Sequence, residues 1–442
     1  MYDAVGATIL DELTSINVHL LRVPETARAA VAQALARHPQ VKFVEENALA
    51  QGMYIPNDPY YGNEWHLARI AAPTGWDIST GSTQIAVAVI DSGIDPAHPD
   101  LAGKLVPGFN FLNSTLDTRD VLGHGTAVAG TAGAIAGNQR GVAGVALQNP
   151  LLPLVVLNAN NYATYANMAA AIMYAADHGV RVINISIGGS SYSSTLQGAV
   201  DYAWNKGSII VASAGNNANS TPMYPAALAR VVAVSATDSA DALASFSSYG
   251  TWIDLAAPGV SILTTTNGGG YGYWYGTSFA SPLVAGVAAL VLSVNPALSN
   301  TQVVELLRQY SDDKGATGYD ALFGYGRINV YQTLVAAQTT SASSNVPPPG
   351  SDTAAPSVRI ISPANNSTVA RTLQIAVSAT DNVGVMRVEL YIDGALYGTS
   401  TTAPYAFAWN TRKASSGAHR LEARAYDRQG NIGLAAPVTV YK

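Results

Sequence analysis

Short apolar runs alternate with longer apolar segments of helical spacing between residues 54 and 338. The runs are nearly continuous in Val, Ile, Leu and Ala, as is typical of strands buried on both faces of a sheet. They cover residues 85–91, 153–158, 181–189, 208–216 and 230–238, and helical patterns such as 168–179 and 278–294 separate them. The alternation predicts an α/β domain with a doubly wound, mostly parallel sheet.

A different pattern precedes this domain. Residues 1–53 predict a small α+β unit, with strands at 6–13 and 17–24, a helix at 25–39 and a further strand at 41–50.

Two segments of other character follow the domain. Residues 339–355 are rich in Ser, Thr, Pro and Gly and predict an extended linker. Residues 356–442 show strand-like alternation, and Asp393-Gly394 between two such runs indicates a hairpin. With Trp409, this pattern predicts a β-sandwich domain. The chain is thus divided into 1–53, 54–338, 339–355 and 356–442.

Polar residues stand where the predicted parallel strands end. They are Asp91, Asn158, Ser186 and Asn216. Ligands bind beyond the carboxyl ends of the strands in such sheets, so these residues are candidates for a functional site.

Composition narrows the function. The 442 residues carry a net charge of −6, and no cluster of Lys and Arg stands out, which argues against nucleic acid as a partner. The absence of cysteine excludes a thiol nucleophile, disulfides and Cys-based zinc sites. No uninterrupted run of 18 apolar residues predicts a membrane span, and the first residues do not have the pattern of a signal peptide.

Four motifs carry candidate chemistry. They are Asp91-Ser92-Gly93, the 123–126 segment GHGT, the 213–216 segment SAGN and the 276–282 segment GTSFASP. Each alone is typical of a turn, a helix start, a loop anchor or an N-cap. Their order on a strand–helix background instead indicates nucleophilic catalysis.

The residue types fit that chemistry. A serine hydroxyl, Ser278, needs a base to take its proton, and His124 is the candidate. Asp91 would orient the imidazole and stabilise its charged form. The Ser278 backbone N–H and the Asn216 side-chain amide would bind the oxyanion of the tetrahedral intermediate. If Ser278 begins its helix, Pro282 falls in the first turn, where a proline is tolerated.

These motifs, in the order Asp, His, Ser, resemble those of the subtilisin-like (S8) serine peptidases, and most closely the thermitase-type members. The resemblance covers residues 1–338 and extends to the segments PNDPY (56–60), HPDLAGK (98–104) and YPA (224–226). It implies a secreted serine endopeptidase acting on proteins or peptides through an acyl-enzyme.

The resemblance also implies a set of substrate-binding residues. Ser186, Ile187 and Gly188 match the segment that pairs with the substrate backbone and forms one wall of the S1 subsite. The other wall matches Ala214-Gly215, and Met223 matches the floor unless it only fills the core. No acidic residue occupies these positions, so we expect an apolar P1 preference.

Calcium is the cofactor that the resemblance implies. Asp58, Asp100 and Asn138 match side-chain ligands of a structural calcium site, which carbonyls of residues 136–142 would complete.

The chain departs from the family pattern at two places. Ala127 replaces a non-catalytic histidine of the usual HGTH. Tyr162, in Asn161-Tyr162-Ala163, replaces part of a Gly-Ser-Gly segment on the S4 side, and we expect it to narrow that subsite.

Residues 1–53 resemble the later part of the family's inhibitory propeptide, which implies that the sequence starts inside the propeptide and that the protein inhibits itself until it is cleaved near Met53–Tyr54. The C-terminal domain resembles bacterial Ig-like modules, whose role is either a passive spacer or attachment to a surface, a polymer or a substrate.

Two other functions remain open from the sequence. One is an inactive, peptide-binding pseudoprotease, although no triad or oxyanion residue is lost. The other is an adhesion protein in which the C-terminal domain carries the main function.

Overall fold

The computed structural model describes residues 2–47, 54–341, 354–381, 384–401, 403–427 and 431–442. The chain divides into two compact units, Met1–Met53 and Tyr54–Lys442. Most of the 339–355 linker therefore lies outside the described residues.

The first unit is a hairpin with one helix. Strands β1 (Thr8–Leu13) and β2 (Val18–Arg22) pair in antiparallel fashion, and helix α1 (Arg28–Ala36) contributes Val31 and Leu35 to a small core.

The further strand predicted at 41–50 is wrong for the described residues 41–47, which are not in a strand. Phe43 and Val44 stay exposed there, and without a buried face or a paired neighbour an extended segment is not held in a sheet. The remainder of this prediction, residues 48–50, lies outside the described residues.

A seven-stranded sheet is the centre of the second unit. Its strands, β3 to β9, are Val87–Asp91, Phe109–Asn110, Leu151–Val155, Val182–Ile185, Ile209–Ser213, Val231–Thr237 and Leu255–Pro258. All pairings are parallel, in the order β4-β5-β3-β6-β7-β8-β9. Each of the five apolar runs overlaps one of these strands, although β5 starts two residues before the run predicted at 153–158. The predicted doubly wound α/β fold is confirmed.

Helices cover both faces of this sheet. They are α2 to α9, at Trp65–Arg69, Ala72–Trp76, His124–Gly133, Tyr165–Asp177, Ser194–Asn205, Thr277–Val294, Asn300–Gln309 and Val330–Thr339. One core joins the sheet to α4, α7, α8 and α9, and a second core joins its other face to α5 and α6.

The chain reverses direction across the sheet at β3. It passes from β3 to β5 on one side and then to β6 on the other side of β3. A crevice opens at such a switch point, beyond the carboxyl ends of the strands. Asp91 is the last residue of β3 and therefore lies at this crevice.

Helix α7 is the most apolar of the long helices in the described chain. It is the one helix there that is long and apolar enough to cross a membrane, yet most of it is buried inside the fold. Its side chains pack against the sheet and α4, so it forms the central helix of the domain. A hairpin of β10 (Ile262–Thr266) and β11 (Gly270–Trp274) leads into it.

The C-terminal part is a β-sandwich. Its strands, β12 to β20, are Ser357–Ser362, Ser367–Thr368, Thr372–Thr380, Arg387–Ile392, Ala395–Ser400, Tyr405–Asn410, Ala418–Tyr426, Ile432–Leu434 and Val438–Tyr441. They form two sheets around one apolar core that includes Trp409. Asp393 and Gly394, both at positive φ, connect β15 to β16 as a tight hairpin, so the predicted sandwich and hairpin are confirmed.

Candidate active site

Asp91 and His124 form a hydrogen-bonded pair at the carboxyl edge of the sheet. Asp91 ends β3 and is fully buried, while His124 is the first residue of α4. The distances from His124 Nδ1 to Asp91 Oδ1 and Oδ2 are 2.8 and 3.0 Å. Burial opposes the charged imidazolium, but the charge and hydrogen bond of Asp91 outweigh it and raise the pKa of His124. Nε2 is thereby left as the nitrogen that can act on a substrate.

A second carboxylate, Asp120, holds the start of α4. Its Oδ2 accepts hydrogen bonds from the backbone N–H and the hydroxyl of Thr126, at 2.8 and 2.6 Å. Its Oδ1 accepts from Gly123 N and from the Ser92 hydroxyl, at 2.7 and 2.8 Å. These bonds satisfy helix N–H groups that have no intrahelical partner, and they fix the helix end that carries His124.

Ser278 lies in the first turn of α7 and is buried. The prediction that Pro282 falls in the same tolerated turn is wrong, because the helix begins at Thr277 and Pro282 is inside it. In a regular helix the residue at 282 donates its backbone N–H to the Ser278 carbonyl, but proline has no N–H. The Ser186 hydroxyl donates to that carbonyl instead, at 2.8 Å.

Ser186 and Ser278 each donate a side-chain hydrogen bond to the backbone carbonyl of the other. The Ser278 hydroxyl donates to the Ser186 carbonyl at 3.1 Å. Among the described residues no hydrogen bond joins Ser278 to His124, although the imidazole lies beside Phe279, with ring centroids 5.9 Å apart. Catalytic hydrogen bonds are often long in enzymes without substrate and tighten when it binds.

Asn216 and the start of α7 bring two hydrogen-bond donors together. Asn216 Oδ1 accepts from the N–H and hydroxyl of Thr277, at 2.9 and 3.0 Å, so its Nδ2 faces the other way. A Cβ at Gly276 would lie 3.2 Å from Asn216 Nδ2 and 3.7 Å from Ser278 N. The two donors therefore border one small space, which the glycine keeps open.

The predicted S1 residues also lie together. A Cβ at Gly188 would lie 2.8 Å from the Tyr224 carbonyl oxygen and 4.0 Å from Met223 Cε, and one at Gly215 would lie 2.8 Å from Met223 Cγ. The Met223 side chain thus lies close to both predicted walls. Ala214 is buried and Ile187 half-buried, each at the end of its strand segment.

Tyr162 differs from these residues because it is 73% exposed on the loop after β5. Its backbone is fixed by Asn158, which donates its N–H to the Tyr162 carbonyl and accepts from the Tyr162 N–H through its side chain. The ring is free to meet a ligand in solvent.

Asp58, Asp100 and Asn138 meet at the 136–142 loop. Asp58 accepts from the N–H groups of Gly137 and Asn138, at 2.7 and 3.2 Å. Asp100 lies 2.8 Å from Asn138 Nδ2. In the part of the chain that the structure describes, no group of three or more His, Cys, Asp or Glu side chains could hold a metal. A cation here would need the Asn138 amide and backbone carbonyls as well.

Glu64 is a further buried carboxyl group beside this cluster. It is buried, and its Oε1 has no hydrogen-bond partner, while Oε2 accepts from Ala143 N at 2.9 Å. Burial, together with the charges of Asp58 and Asp100, raises the pKa of Glu64 to about 9. Carboxyl groups crowded together in a buried place, one of them with an unpartnered oxygen, fit a bound cation.

The sequence interpretation missed several residues that support the site. Asn184 is the clearest, since its Nδ2 donates to the Ser186 hydroxyl at 2.9 Å and its Oδ1 accepts from the Ser281 hydroxyl at 2.6 Å. A lone Asn inside a continuous apolar strand was the signal that could have identified it. Asp120 gave no comparable signal.

Comparisons with known proteins identify the family of each part of the chain. Residues 82–326 match the subtilase family, residues 356–423 a bacterial Ig domain and residues 1–47 the fervidolysin N-terminal prodomain. The thermophilic serine proteinase of Bacillus sp. (strain AK1) is 44% identical over 75% of this chain and 82% of its own. Thermitase of Thermoactinomyces vulgaris is 42% identical over 64% of this chain and 99% of its own.

A solved structure of a protease from Pseudoalteromonas arctica PAMC 21717 superposes with a TM-score of 0.60 at 30% identity, over 64% of this chain and 100% of that one. The fold, the family match and the relatives agree, and the chain belongs to the subtilase family of serine endopeptidases, with an N-terminal prodomain and a C-terminal bacterial Ig domain.

Proposed function

We propose that Asp91, His124 and Ser278 are the catalytic triad of this endopeptidase and cleave peptide bonds through a covalent acyl-enzyme. The observation that carries the proposal is the hydrogen bond between His124 Nδ1 and Oδ1 of the fully buried Asp91, with 2.8 Å between the two atoms. It fixes the proton of the imidazole on Nδ1 and leaves Nε2 as a base. Subtilisin, of the same family, is a type case of this arrangement.

The reaction runs in two halves. The Ser278 hydroxyl turns from the Ser186 carbonyl, gives its proton to His124 Nε2 and attacks the substrate carbonyl carbon. Asn216 Nδ2 and Ser278 N donate to the developing oxyanion in the space beside Gly276. His124 then protonates the leaving amine, and water, deprotonated by His124, hydrolyses the ester and restores Ser278.

The substrate preference follows from the predicted S1 residues. The walls 186–188 and 214–215 and the Met223 side chain offer apolar contacts and no charge. An apolar P1 side chain is favoured because it is desolvated there without leaving an unpaired charge. Tyr162, exposed beyond this subsite, is proposed to narrow S4.

Calcium is the proposed structural cofactor. Asp58, Asp100 and Asn138 would hold it together with carbonyls of the 136–142 loop, and the ion would offset the charge that surrounds Glu64. It takes no part in the chemistry.

The prodomain match supports a zymogen. Residues 1–53 are proposed to inhibit the enzyme until cleavage near Met53–Tyr54, and residues 54–338 to form the peptidase domain, which the 339–355 linker joins to the Ig-like domain. An extracellular site of action is proposed with this organisation, because calcium, the proposed structural ion, is abundant outside cells.

The test is the processing of the full chain. Wild type, Ser278→Ala and the control Ser293→Ala, on the same helix, are expressed with calcium, and their intact masses and N-terminal sequences are measured. We expect wild type and control to lose about fifty residues and Ser278→Ala to keep them, because removing the nucleophile costs about 10⁶-fold in kcat in subtilisin. If all three fold and stay full length, the proposed catalysis is refuted for this chain.

A further inference from the structure

Part of the outer face of the Ig-like domain, around Arg387 and Glu389, is buried although its pattern predicts exposure. On β15, Val388, Leu390 and Ile392 point into the sandwich core, so Arg387 and Glu389 lie on the opposite face. That face of a sandwich is ordinarily in water, yet Arg387 is 4% and Glu389 6% exposed. Charged side chains reach such burial only when they are paired and covered.

The two charges are paired within the Ig-like domain. Arg387 Nε lies 2.9 Å from Glu389 Oε1, and its guanidinium stacks 3.6 Å from the centroid of the Tyr426 ring. Glu389 Oε2 accepts from the hydroxyls of Tyr391 and Tyr426, at 2.8 and 3.0 Å. The cluster is therefore a satisfied polar patch with Nη1 of Arg387 left to reach outward.

The peptidase domain meets this patch. Arg387 Nη1 donates to Gln197 Oε1 on α6 at 3.5 Å. Tyr192 lies within electrostatic reach of Arg387, Glu389 and Tyr426, and burial is the main cause that raises its pKa to about 12. The Tyr224 phenol faces Thr401 of the Ig-like domain, so the contact has several independent points.

The same tyrosines stand directly behind the proposed S1 subsite. Tyr224 and Gly189 exchange both backbone hydrogen bonds, at 2.7 and 2.9 Å. Tyr192 and Tyr224 pack edge to face with centroids 5.6 Å apart. Gly189 follows the wall residue Gly188, and Tyr224 follows the floor residue Met223, so a shift of this pair moves one wall and the floor of the subsite.

We propose that the outer sheet face of the Ig-like domain, centred on Arg387 and Glu389, docks on Tyr192, Gln197 and Tyr224 and fixes the shape of the S1 subsite from behind. The domain is then a specificity element of the peptidase and not a passive spacer. This inference rests on the proposed function for its kinetic part only, since the docking itself is a property of the folded chain.

Two variants weaken the contact from opposite sides. Arg387→Ala removes the outward-reaching charge, and Tyr192→Ala removes the aromatic surface of the peptidase domain without touching the Ig-like fold. The control is Arg420→Ala, because Arg420 lies on the same face of the Ig-like sheet but is exposed and pairs with Glu422 at 2.5 Å.

The first readout needs no activity. In full chains that also carry Ser278→Ala, amide hydrogen exchange is followed over residues 187–193 and 222–228. Both docking variants should exchange there at least about fivefold faster than the control, the lower end of ordinary coupling between sites. Exchange in the core strand β18, over 421–425, reports whether the Ig-like domain remains folded.

The second readout is kinetic. In the active chain, the ratio of kcat/KM for a peptide anilide with P1 Phe to that with P1 Ala should fall at least about threefold, mainly through KM, in both docking variants. Unchanged exchange and an unchanged ratio in Tyr192→Ala would overturn the proposal, even if Arg387→Ala unfolds the Ig-like domain. Altered exchange without any hydrolysis by wild type would overturn the proposed catalysis and leave the docking in place.

Discussion

Removing the hydroxyl of Ser186 tests most directly how Ser278, the proposed nucleophile, is held. Ser186 Oγ donates to the carbonyl of Ser278 and accepts from Asn184 Nδ2. Pro282 has no N–H to offer that carbonyl, so the helix cannot replace the lost donor. Ser186→Ala therefore leaves a buried carbonyl and a buried amide N–H without their partners.

The size of the effect follows from those two groups. A buried polar group left without its partner costs about 1–3 kcal/mol, so the free energy of unfolding should fall by at least about 2 kcal/mol. For a domain of this size 1 kcal/mol corresponds to about 2–4 °C in Tm, which predicts a loss of at least about 4 °C.

The assay is thermal unfolding in a parent that carries Ser278→Ala, so that autolysis does not interfere and the Ser278 carbonyl is retained. The matched control is Ser281→Ala, which removes the donor to Asn184 Oδ1 but leaves the Ser278 carbonyl bonded. If Ser186→Ala lowers Tm no more than Ser281→Ala does, the carbonyl is not held by Ser186 and the reasoning fails.

Three further predictions concern the oxyanion donor, calcium and pH. Asn216→Leu should lower kcat by about 10²–10³, the cost of losing the corresponding donor in subtilisin, with little change in KM; an equal loss in a ground-state binding constant would contradict this. Chelation with EDTA should lower the Tm of wild type, because the bound ion stabilises the folded state. It should lower the Tm of the control Asp313→Asn equally, since Asp313 is an exposed carboxylate outside the proposed calcium site. Asp100→Asn should have a lower Tm from the start, which EDTA no longer changes. His124, the proposed base, would act only when neutral, and its pKa is raised, so kcat/KM should fall as pH drops through a value above 6.5. Asp120→Asn should move this acidic limb of the pH profile to lower pH, because the charge of Asp120 contributes to the raised pKa of His124. A limb that does not move would exclude that contribution.

The local pattern of apolar and polar residues was sufficient to predict the parallel sheet and to locate the motifs at the ends of its strands. The strands are continuous in apolar residues because both faces of the sheet are covered, and this leaves Asp91 and Asn216 visible as polar residues at strand ends. In contrast, the prediction placed Pro282 in the first turn of α7, whereas it lies inside the helix. The hydroxyl that replaces its missing N–H belongs to Ser186, 92 residues away in the chain, where a local pattern cannot show it.

The Ig-like domain shows that a sequence pattern cannot predict which of its faces another domain covers. Arg387 and Glu389 alternate with Val388 and Leu390, and alternation predicts a solvated outer face. Which face of a folded domain is covered depends on the surface of another domain, here that of Tyr192 and Gln197, about which the alternation carries no information.

The segment from Asn184 to Gly189 links the parts of the enzyme that the sequence separates. The hydroxyl and carbonyl of Ser186 bond to Ser278, the proposed nucleophile, which is 92 residues downstream. The end of the segment, at Gly189, pairs with Tyr224 behind the proposed S1 subsite. Because β6 is buried on both sides between β3 and β7, the segment is fixed at its start, and only its end can respond to what lies behind it. A domain that contacts Tyr192 and Tyr224 therefore acts on the subsite while the nucleophile stays held by the sheet, which is why the docking proposal predicts a change in P1 preference and KM with little change in the chemical step.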